Sequence, residues 1–497
     1  MTELTFADWQ ARASEIEIEG RAFINGQYTD ALSGETRPTY NPATGEKLVD
    51  VASCGPEDAD LAVKYARDAF ESGVWADMAP SERKMVLVRW AELIELYAEE
   101  LALLETLDVG KPISDTFNID APSAARTIRW SGEAIDKVYE QIAPTPAGTM
   151  GLITRLPLGV VAAIVPWNFP LSTTAWKIAP SLATGNSVIV KPASNTPLTA
   201  IRIAELASEA GLPDGVLQIL PGPGGSLGQH LSTHMDIDGL TFTGSTPVGK
   251  MLMEYSGQSN LKRTFLELGG KSPNIVFADA DLDKAANMAA MAVFFNGGQT
   301  CTAGTRLIVQ DSVHDEFMAK VIECAKGWAP GNPLDPETVM GPMVDQGQYN
   351  TVAEYVEVGL GEGAELAYGG KRVLSDEGGY YHEPTIFTGV NNQMRIAQEE
   401  IFGPVMSVIK FSDAQEAVEI ANDSIFGLAG AVWSRDINTA IKVAEKVRVG
   451  TMGVNNYFGG DITVPFGGFK QSGNGRDKSI HAFDDYTELK TTWIEFE

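Results

Sequence analysis

Apolar residues along this chain change their spacing several times, and each change marks an element. From Gly159 an apolar run, Val160 to Val165, gives way to a helical segment ending at Ala183. Val188 to Val190, a helix after Pro197, and Val216 to Leu220 follow. Short apolar runs bounded by turn residues read as strands buried on both faces, and their alternation with helical stretches predicts βαβ units. The rhythm continues through Gly239 to Phe242, a helix from Thr246, and Phe265 to Leu268. This predicts an α/β fold built on a doubly wound, mostly parallel sheet, with a nucleotide site at the carboxyl ends of its strands. A second α/β unit is predicted from Pro273 to Phe277, an Ala- and Met-rich helix from Leu282, Arg306 to Val309, and a helix from Val313 to Ala325.

The flanks read differently. Phe23 to Tyr28 and Asp30 to Ala43, rich in Gly, Thr, Pro and Asn, predict short strands and turns rather than a helical lead-in. Val86, Trp90, Leu93, Tyr97, Leu101 and Leu104 recur at helical spacing, which predicts one long helix capped by Ser81 and stopped at Gly110 and Pro112. Alternation from Tyr486 to Phe496 predicts a strand suited to extending a sheet on another subunit.

Composition narrows the function classes. At 497 residues the chain exceeds what one core usually supports. A net charge of −29 argues against nucleic acid or an anionic membrane as partner, since phosphate binding needs concentrated Lys and Arg. Small molecules are the expected partners. The three cysteines, Cys54, Cys301 and Cys324, form neither a metal-ligand spacing nor a disulfide framework, so a reducing cytoplasm is expected. Met1 to Gln10 lacks a basic, then apolar, leader pattern, and no apolar run reaches membrane-span length.

Two nucleotide motifs nearly match. Gly222, Gly224, Gly225 and Gly228 form a Gly-rich turn outside the Gly-x-Gly-x-x-Gly spacing. Gly244 to Lys250 resembles a phosphate-binding loop, but Met251 stands where a hydroxyl must hold magnesium, which removes the ATPase reading. Gly244 and Ser245 still fall between a strand and a helix start, where free N–H groups favour a pyrophosphate, although an ordinary turn has the same pattern. Among the cysteines, Cys301 stands in the Gly-rich polar turn Phe295-Asn296-Gly297-Gly298-Gln299-Thr300-Cys301, suited to presenting a nucleophile, whereas Cys324 reads as a packed helix residue. A thiol needs help to ionise. Glu267 at a strand end is a candidate base, or else a solvated charge; Asn168, between two prolines, is a candidate oxyanion donor, or else a turn former. Spacing alone does not bring the three together.

Seven ordered blocks nevertheless resemble the aldehyde dehydrogenase superfamily along nearly the whole chain. They are Pro166 to Pro170, Lys191 to Ser194, Phe242 to Gly249, Glu267 to Asn274, Gly298 to Cys301, Glu399 to Pro404 and Pro465 to Lys470. The resemblance implies a fold with a Rossmann-like cofactor domain (1–140 and 157–267), an α/β catalytic domain (268–476) and a small β oligomerisation element (141–156 and 477–497). It implies Cys301 as nucleophile, Asn168 and the Cys301 N–H as oxyanion hole, and Glu267 as the base that activates hydrolytic water. It further places Trp167, Lys191, Gly224, Gly228, Phe242, Ser245 and Val248 at the adenosine and pyrophosphate, and Glu400 and Phe402 at the nicotinamide ribose. No metal is required, and a homodimer or homotetramer is expected, with Arg263, Arg476 and Glu488 linking interface and cofactor site.

One position bears on the cofactor. Many NAD⁺-preferring members carry Glu where this chain has Ser194, so the cofactor is expected to be NADP⁺ or NAD⁺, with Lys191 pairing a 2′-phosphate. Asp477 likewise stands where Glu is common. The tail from Pro465 to Lys490 is similar to bacterial enzymes of polyamine catabolism acting on γ-glutamyl-γ-aminobutyraldehyde, guanidinobutyraldehyde or 3-hydroxypropionaldehyde. A tunnel walled by Phe169, Trp176, Tyr457 and Phe466 is then expected, with Asp120 and Asp461 attracting a cationic group, or lying as ordinary surface acids. The competing readings are a CoA-acylating dehydrogenase, against which Glu267 argues, and a catalytically silent protein on the same scaffold.

Overall fold

The computed structural model describes residues 4–496; Met1 to Glu3, at the head of the segment without a leader pattern, and Glu497 lie outside the described residues. The βαβ rhythm becomes a seven-stranded sheet in the order Arg263–Glu267, Gly239–Thr243, Val160–Ile164, Ser187–Lys191, Leu217–Ile219, Ala22–Ile24, Gln27–Thr29. The first five strands in this order pair in parallel, and Ala22–Ile24 pairs antiparallel with both its neighbours. Val160, Val161, Ala162 and Ala163 are fully buried, as expected for a strand covered by helices on both faces. From Val160–Ile164 the chain first winds toward Leu217–Ile219 and then crosses to the other side. The crevice beyond Ile164 and Thr243 is therefore a topological switch point.

A second seven-stranded sheet runs Glu365–Tyr368, Thr385–Thr388, Val405–Phe411, Arg306–Gln310, Pro273–Val276, Ala429–Trp433, Thr451–Val454, parallel except at the first strand. Only Leu268 to Ser272 separate the last strand of one sheet from Pro273–Val276 of the other. The end of the Glu267 strand is thereby held at the seam between the sheets. A third sheet joins Gln141–Ala143, Thr149–Pro157 and Thr487–Glu495, the last pairing antiparallel with Thr149–Pro157 of the same chain and forming an edge.

The stretch from Phe23 to Ala43 forms the expected short strands, Ala22–Ile24, Gln27–Thr29 and Thr36–Tyr40. Ahead of it stands a helix that the apolar pattern does not predict, Phe6–Glu15, closed by a capping box between Thr5 and Asp8 and anchored through buried Trp9. Two expectations need correction. The long helix is two, Pro80–Leu96 and Ala98–Val109, broken at Tyr97. Its start is Ala79 with Pro80 at the first helical position rather than a Ser81 cap, because Pro lacks an N–H that would need capping there. Among the described residues no helix is long and apolar enough to cross a membrane.

Candidate active site

The helix Leu282–Phe294 ends in a turn with three successive left-handed residues, Asn296, Gly297 and Gly298 (φ 51°, 61° and 72°). Gly is favoured in such a turn, and at Gly298 a Cβ would meet the Gly403 carbonyl at 2.1 Å. The turn aims Thr300 and Cys301 into a cavity of about 620 Å³ at the seam of the two sheets. Buried Gln299 locks it, donating to Asn296 O at 3.0 Å and accepting from Val344 N at 2.9 Å. Asn168 reaches in from the Ile164 strand end: its amide donates to Gln299 O at 2.9 Å, and Asn296 donates to Asn168 O at 3.2 Å. Those bonds tie two segments 131 positions apart into one loop system.

Cys301, Asn168 and Glu267 all line this cavity, as do Trp167, Phe242, Gly244, Ser245, Glu400 and Phe402. Burial pushes the Cys301 thiol up to about 12, and the nearby Glu400 and Glu267 carboxyls add to the effect. Glu267 is 2% exposed, and neither carboxyl oxygen has a hydrogen-bond partner. Burial lifts its pKa well above the usual carboxylate range, helped by Asp477 and opposed by Lys177 and Arg476. The packing leaves no slack here, since a Cβ on Gly467 would stand 2.5 Å from Glu267 Oε1. Glu400 accepts the Gly270 N–H at 3.1 Å, and burial raises it to about 7. Phe402 holds a left-handed φ of 57°, a strained backbone for an aromatic residue, with its ring edge-on to Trp167 at 5.1 Å.

The sequence pattern does not single out Lys177. It lies on Pro170–Ala183, a helix buried nearly throughout, and its ammonium meets Asp477 at 2.7 Å. A lone Lys in such a helix is the available signal, because a buried ammonium needs a partner. Asp477 lines the cavity, and its backbone pairs in both directions with Phe466. The shorter acid thus still reaches a cation.

The nucleotide-side residues meet a simple test of fit. The 13-residue helix Thr246–Gln258 begins at Ser245 without a side-chain cap, and Gly244 and Ser245 open on the cavity, so free N–H groups and the helix dipole face that space. Next to it, Gly224 and Gly225 have open space where a Cβ would project, while Gly228 lies against the Lys191 side chain. Lys191 is buried, donates to Pro192 O at 2.8 Å, and is lowered by burial to about 8. Ser194 is exposed and donates to Gly222 O at 3.0 Å. Val248 is half-buried and packs into the core beneath the helix. These groups fit a pyrophosphate and a ribose.

The aldehyde side differs from expectation at three residues. Phe169, Trp176 and Phe466 do wall the cavity, together with Phe295 and Phe458. Tyr457 does not: it is buried under the nucleophile turn, where its hydroxyl donates to Thr302 O at 2.7 Å and its ring fills the space beside Gly304. Asp461 is exposed outside the lining and accepts the Thr463 N–H at 3.0 Å, closing its own turn. Asp120 lines the cavity but is committed, accepting from Lys111 at 2.7 Å and Ser172 at 3.1 Å, with Glu105 3.6 Å from the same ammonium. Lys111 also lies 3.8 Å from the Phe169 ring centre. Asp120 is thus already paired, and Asp461 stands outside the cavity lining.

Two further placements bear on the expectations. Arg263 pairs with Glu488 at 2.6 Å, and Arg476 donates to Gly468 O at 3.0 Å and to Gly475 O at 2.7 Å. Away from the cavity, Asp60 accepts from His230 at 2.6 Å and lies 3.4 Å from His234. His234 Nδ1 accepts the Asp236 N–H, which keeps its proton on the nitrogen facing Asp60 and leaves no lone pair there for a metal.

Comparison with known proteins agrees with this geometry. Residues 28–492 match the model of the aldehyde dehydrogenase family. The chain is 51% identical to the NADP/NAD-dependent aldehyde dehydrogenase PuuC of Escherichia coli, over 99% of both chains. Among solved structures, the aldehyde dehydrogenase KauB of Pseudomonas aeruginosa superposes with a TM-score of 0.99 at 60% identity, covering 99% of this chain and all of that one. A γ-glutamyl-γ-aminobutyraldehyde dehydrogenase of Burkholderia cenocepacia gives 0.98 at 54%, with the same coverage. The chain therefore belongs to the aldehyde dehydrogenase family and is an NAD(P)-dependent aldehyde dehydrogenase.

Proposed function

We propose that this enzyme oxidises an aldehyde to the free acid through a thioester on Cys301 that water cleaves with Glu267 as base. The observation that carries this reading is the pair of unpartnered carboxyl oxygens of Glu267 facing the cavity that holds the Cys301 thiol. Cys301 Sγ bonds to the carbonyl carbon as its proton leaves to water, giving a thiohemiacetal oxyanion. Asn168 has a second amide N–H beyond the one given to Gln299 O, and it serves that oxyanion together with the Cys301 backbone N–H. The bound nicotinamide cofactor supplies the hydride acceptor. In the second half Glu267, as carboxylate, removes a proton from water that attacks the thioester, and Cys301 departs. A carboxylate made more basic by burial suits that step. Walls of Phe169, Trp176, Phe295 and Phe466 keep bulk water away. A base so placed supports hydrolysis over transfer to CoA, and the retained chemistry argues against a silent protein.

On cofactor choice, exposed Ser194 brings no carboxylate to the ribose 2′ position, so NADP⁺ is accepted beside NAD⁺, with Lys191 as the phosphate partner. The E. coli relative is described as using both. The substrate is a polar aldehyde of the kind formed in polyamine breakdown, in line with the name of the B. cenocepacia protein. The chain divides into cofactor, catalytic and oligomerisation parts as the resemblance implies. It assembles as a homodimer or homotetramer through the edge strand Thr487–Glu495, where Leu489 and Trp493 are exposed.

The test is NAD(P)H formation with both cofactors against propanal, 3-hydroxypropionaldehyde, 4-aminobutyraldehyde and γ-glutamyl-γ-aminobutyraldehyde. Cys301→Ala is expected to lose about 10⁴-fold or more in rate while cofactor binding persists. Turnover by that variant equal to the parent's would remove the assignment.

A further inference from the structure

The oxidation chemistry leaves Lys478 unused. Its ammonium lies 4.8 Å from the centre of the Trp176 ring and 5.7 Å from that of Phe466, and both rings wall the substrate side of the cavity. Lys478 is half-buried. Among the described residues it forms no ion pair: neighbouring Asp477 is committed to Lys177, and Asp461 closes its own turn. Burial pulls the ammonium below its ordinary range, an effect that Asp477 and Asp461 oppose and Arg126 reinforces.

Arg126 is exposed on the helix Ala121–Ala134, three residues beyond Ser123, which lines the cavity; residues so spaced share one helix face. It lines a neighbouring hollow with Glu95 and Arg129, and it is a like-charged neighbour of Lys478 and an opposite-charged one of Asp461. Lys478 is not itself a lining residue; it stands against two rings that are, with Arg126 as a second cation and Asp461 as the exposed carboxylate nearby, on a chain whose net charge is −29. A local positive field on an acidic protein draws in anions and repels cations. The aromatic platforms hold the ammonium at the wall and limit its freedom to move off into solvent.

We propose that Lys478, seconded by Arg126, is a specificity-determining residue that selects aldehydes carrying a carboxylate at the end remote from the reacting carbonyl. This rests on the oxidation reading above and narrows its substrate class. Aldehydes whose remote group is a bare ammonium or guanidinium are disfavoured, in keeping with the pairing of Asp120 to Lys111. The remote carboxylate meets the ammonium beside Trp176 and Phe466 while the aldehyde carbon stands at Cys301.

The experiment compares kcat/KM for 4-oxobutanoate, 5-oxopentanoate, pentanal and 4-aminobutyraldehyde in the parent enzyme, Lys478→Met and Lys478→Arg. The readout is the ratio of carboxylated to neutral aldehyde within each enzyme, so that a general loss of activity cancels. Lys478→Met is expected to lower that ratio on the order of ten-fold, through KM rather than kcat, and to raise the relative rate on the amino aldehyde; Lys478→Arg restores most of the ratio. An active Lys478→Met enzyme whose ratio stays within about two-fold of the parent's would overturn this assignment alone, that being the range of a screened surface charge. Failure of the parent to oxidise any aldehyde would instead overturn the oxidation reading, and this one with it.

Discussion

Two carboxyl groups buried in one cavity wall have opposite surroundings. Glu267 at the seam of the sheets has no hydrogen-bond partner for either oxygen, whereas Asp120 on the side wall is held by Lys111 and Ser172, with Glu105 behind. A buried polar group without partners is costly to fold around and persists where something else needs it unpaired. A buried acid with a cation and a hydroxyl is already satisfied and contributes shape. Burial with and without partners thus separates the group available for proton transfer from the one that builds the wall behind Phe169.

The sharpest way to break this contrast is Glu267→Gln. It is expected to lower steady-state turnover by roughly 10² to 10⁴ while leaving a burst of NAD(P)H from the first half-reaction, because acylation does not need the base. The parent's activity should rise with pH as this raised carboxyl ionises, and the variant should lose that limb. A single-turnover trace without a burst would show that Glu267 acts earlier than thioester hydrolysis.

Asp120→Asn should act on stability instead. Removing the charge leaves Lys111 with only the more distant Glu105, a loss of about 3 kcal/mol from a broken buried pair, seen as a lower denaturation midpoint. Turnover should change far less than in Glu267→Gln. The opposite outcome, an unchanged midpoint with activity lost, would place Asp120 in the chemistry and end the contrast.

The smallest effect concerns Glu105, which burial raises to about 8 from an ordinary value of 4.5. The folded protein then holds this proton more tightly than the unfolded chain does, so its contribution is present below pH 4.5 and is lost as pH rises toward 8. Glu105→Gln should flatten the fall in thermal midpoint across that window. An unaltered pH slope would mean that Lys111 keeps Glu105 ionised in the fold.

The expected elements compare unevenly with the structure for a physical reason. Runs such as Val160 to Val165 and Val188 to Val190 are local signals, since a strand covered on both faces must be apolar throughout, and they appear within a residue or so of their predicted bounds. The break at Tyr97 is not legible, because apolar spacing carries across it while the backbone does not. The Phe6–Glu15 helix escapes notice for another reason: a ten-residue polar helix has one buried anchor, Trp9, and a capping box that the apolar pattern does not report.

The sequence by itself determined the class of the molecule: alternating strands and helices, a cysteine in a glycine turn, and ordered blocks that mark the family. Tertiary structure decided which of those side chains meet and in what state. Cys301, Asn168 and Glu267 come together because the strand that ends at Ile164 and the strand that ends at Glu267 both face the turn before Arg306–Gln310, a coincidence of topology that no spacing records. Asp120 and Asp461 look alike as acidic letters. One is neutralised by a lysine nine positions away in a dry wall and the other closes an exposed turn, and only three-dimensional burial distinguishes them, because the cost of a charge is set by what surrounds it.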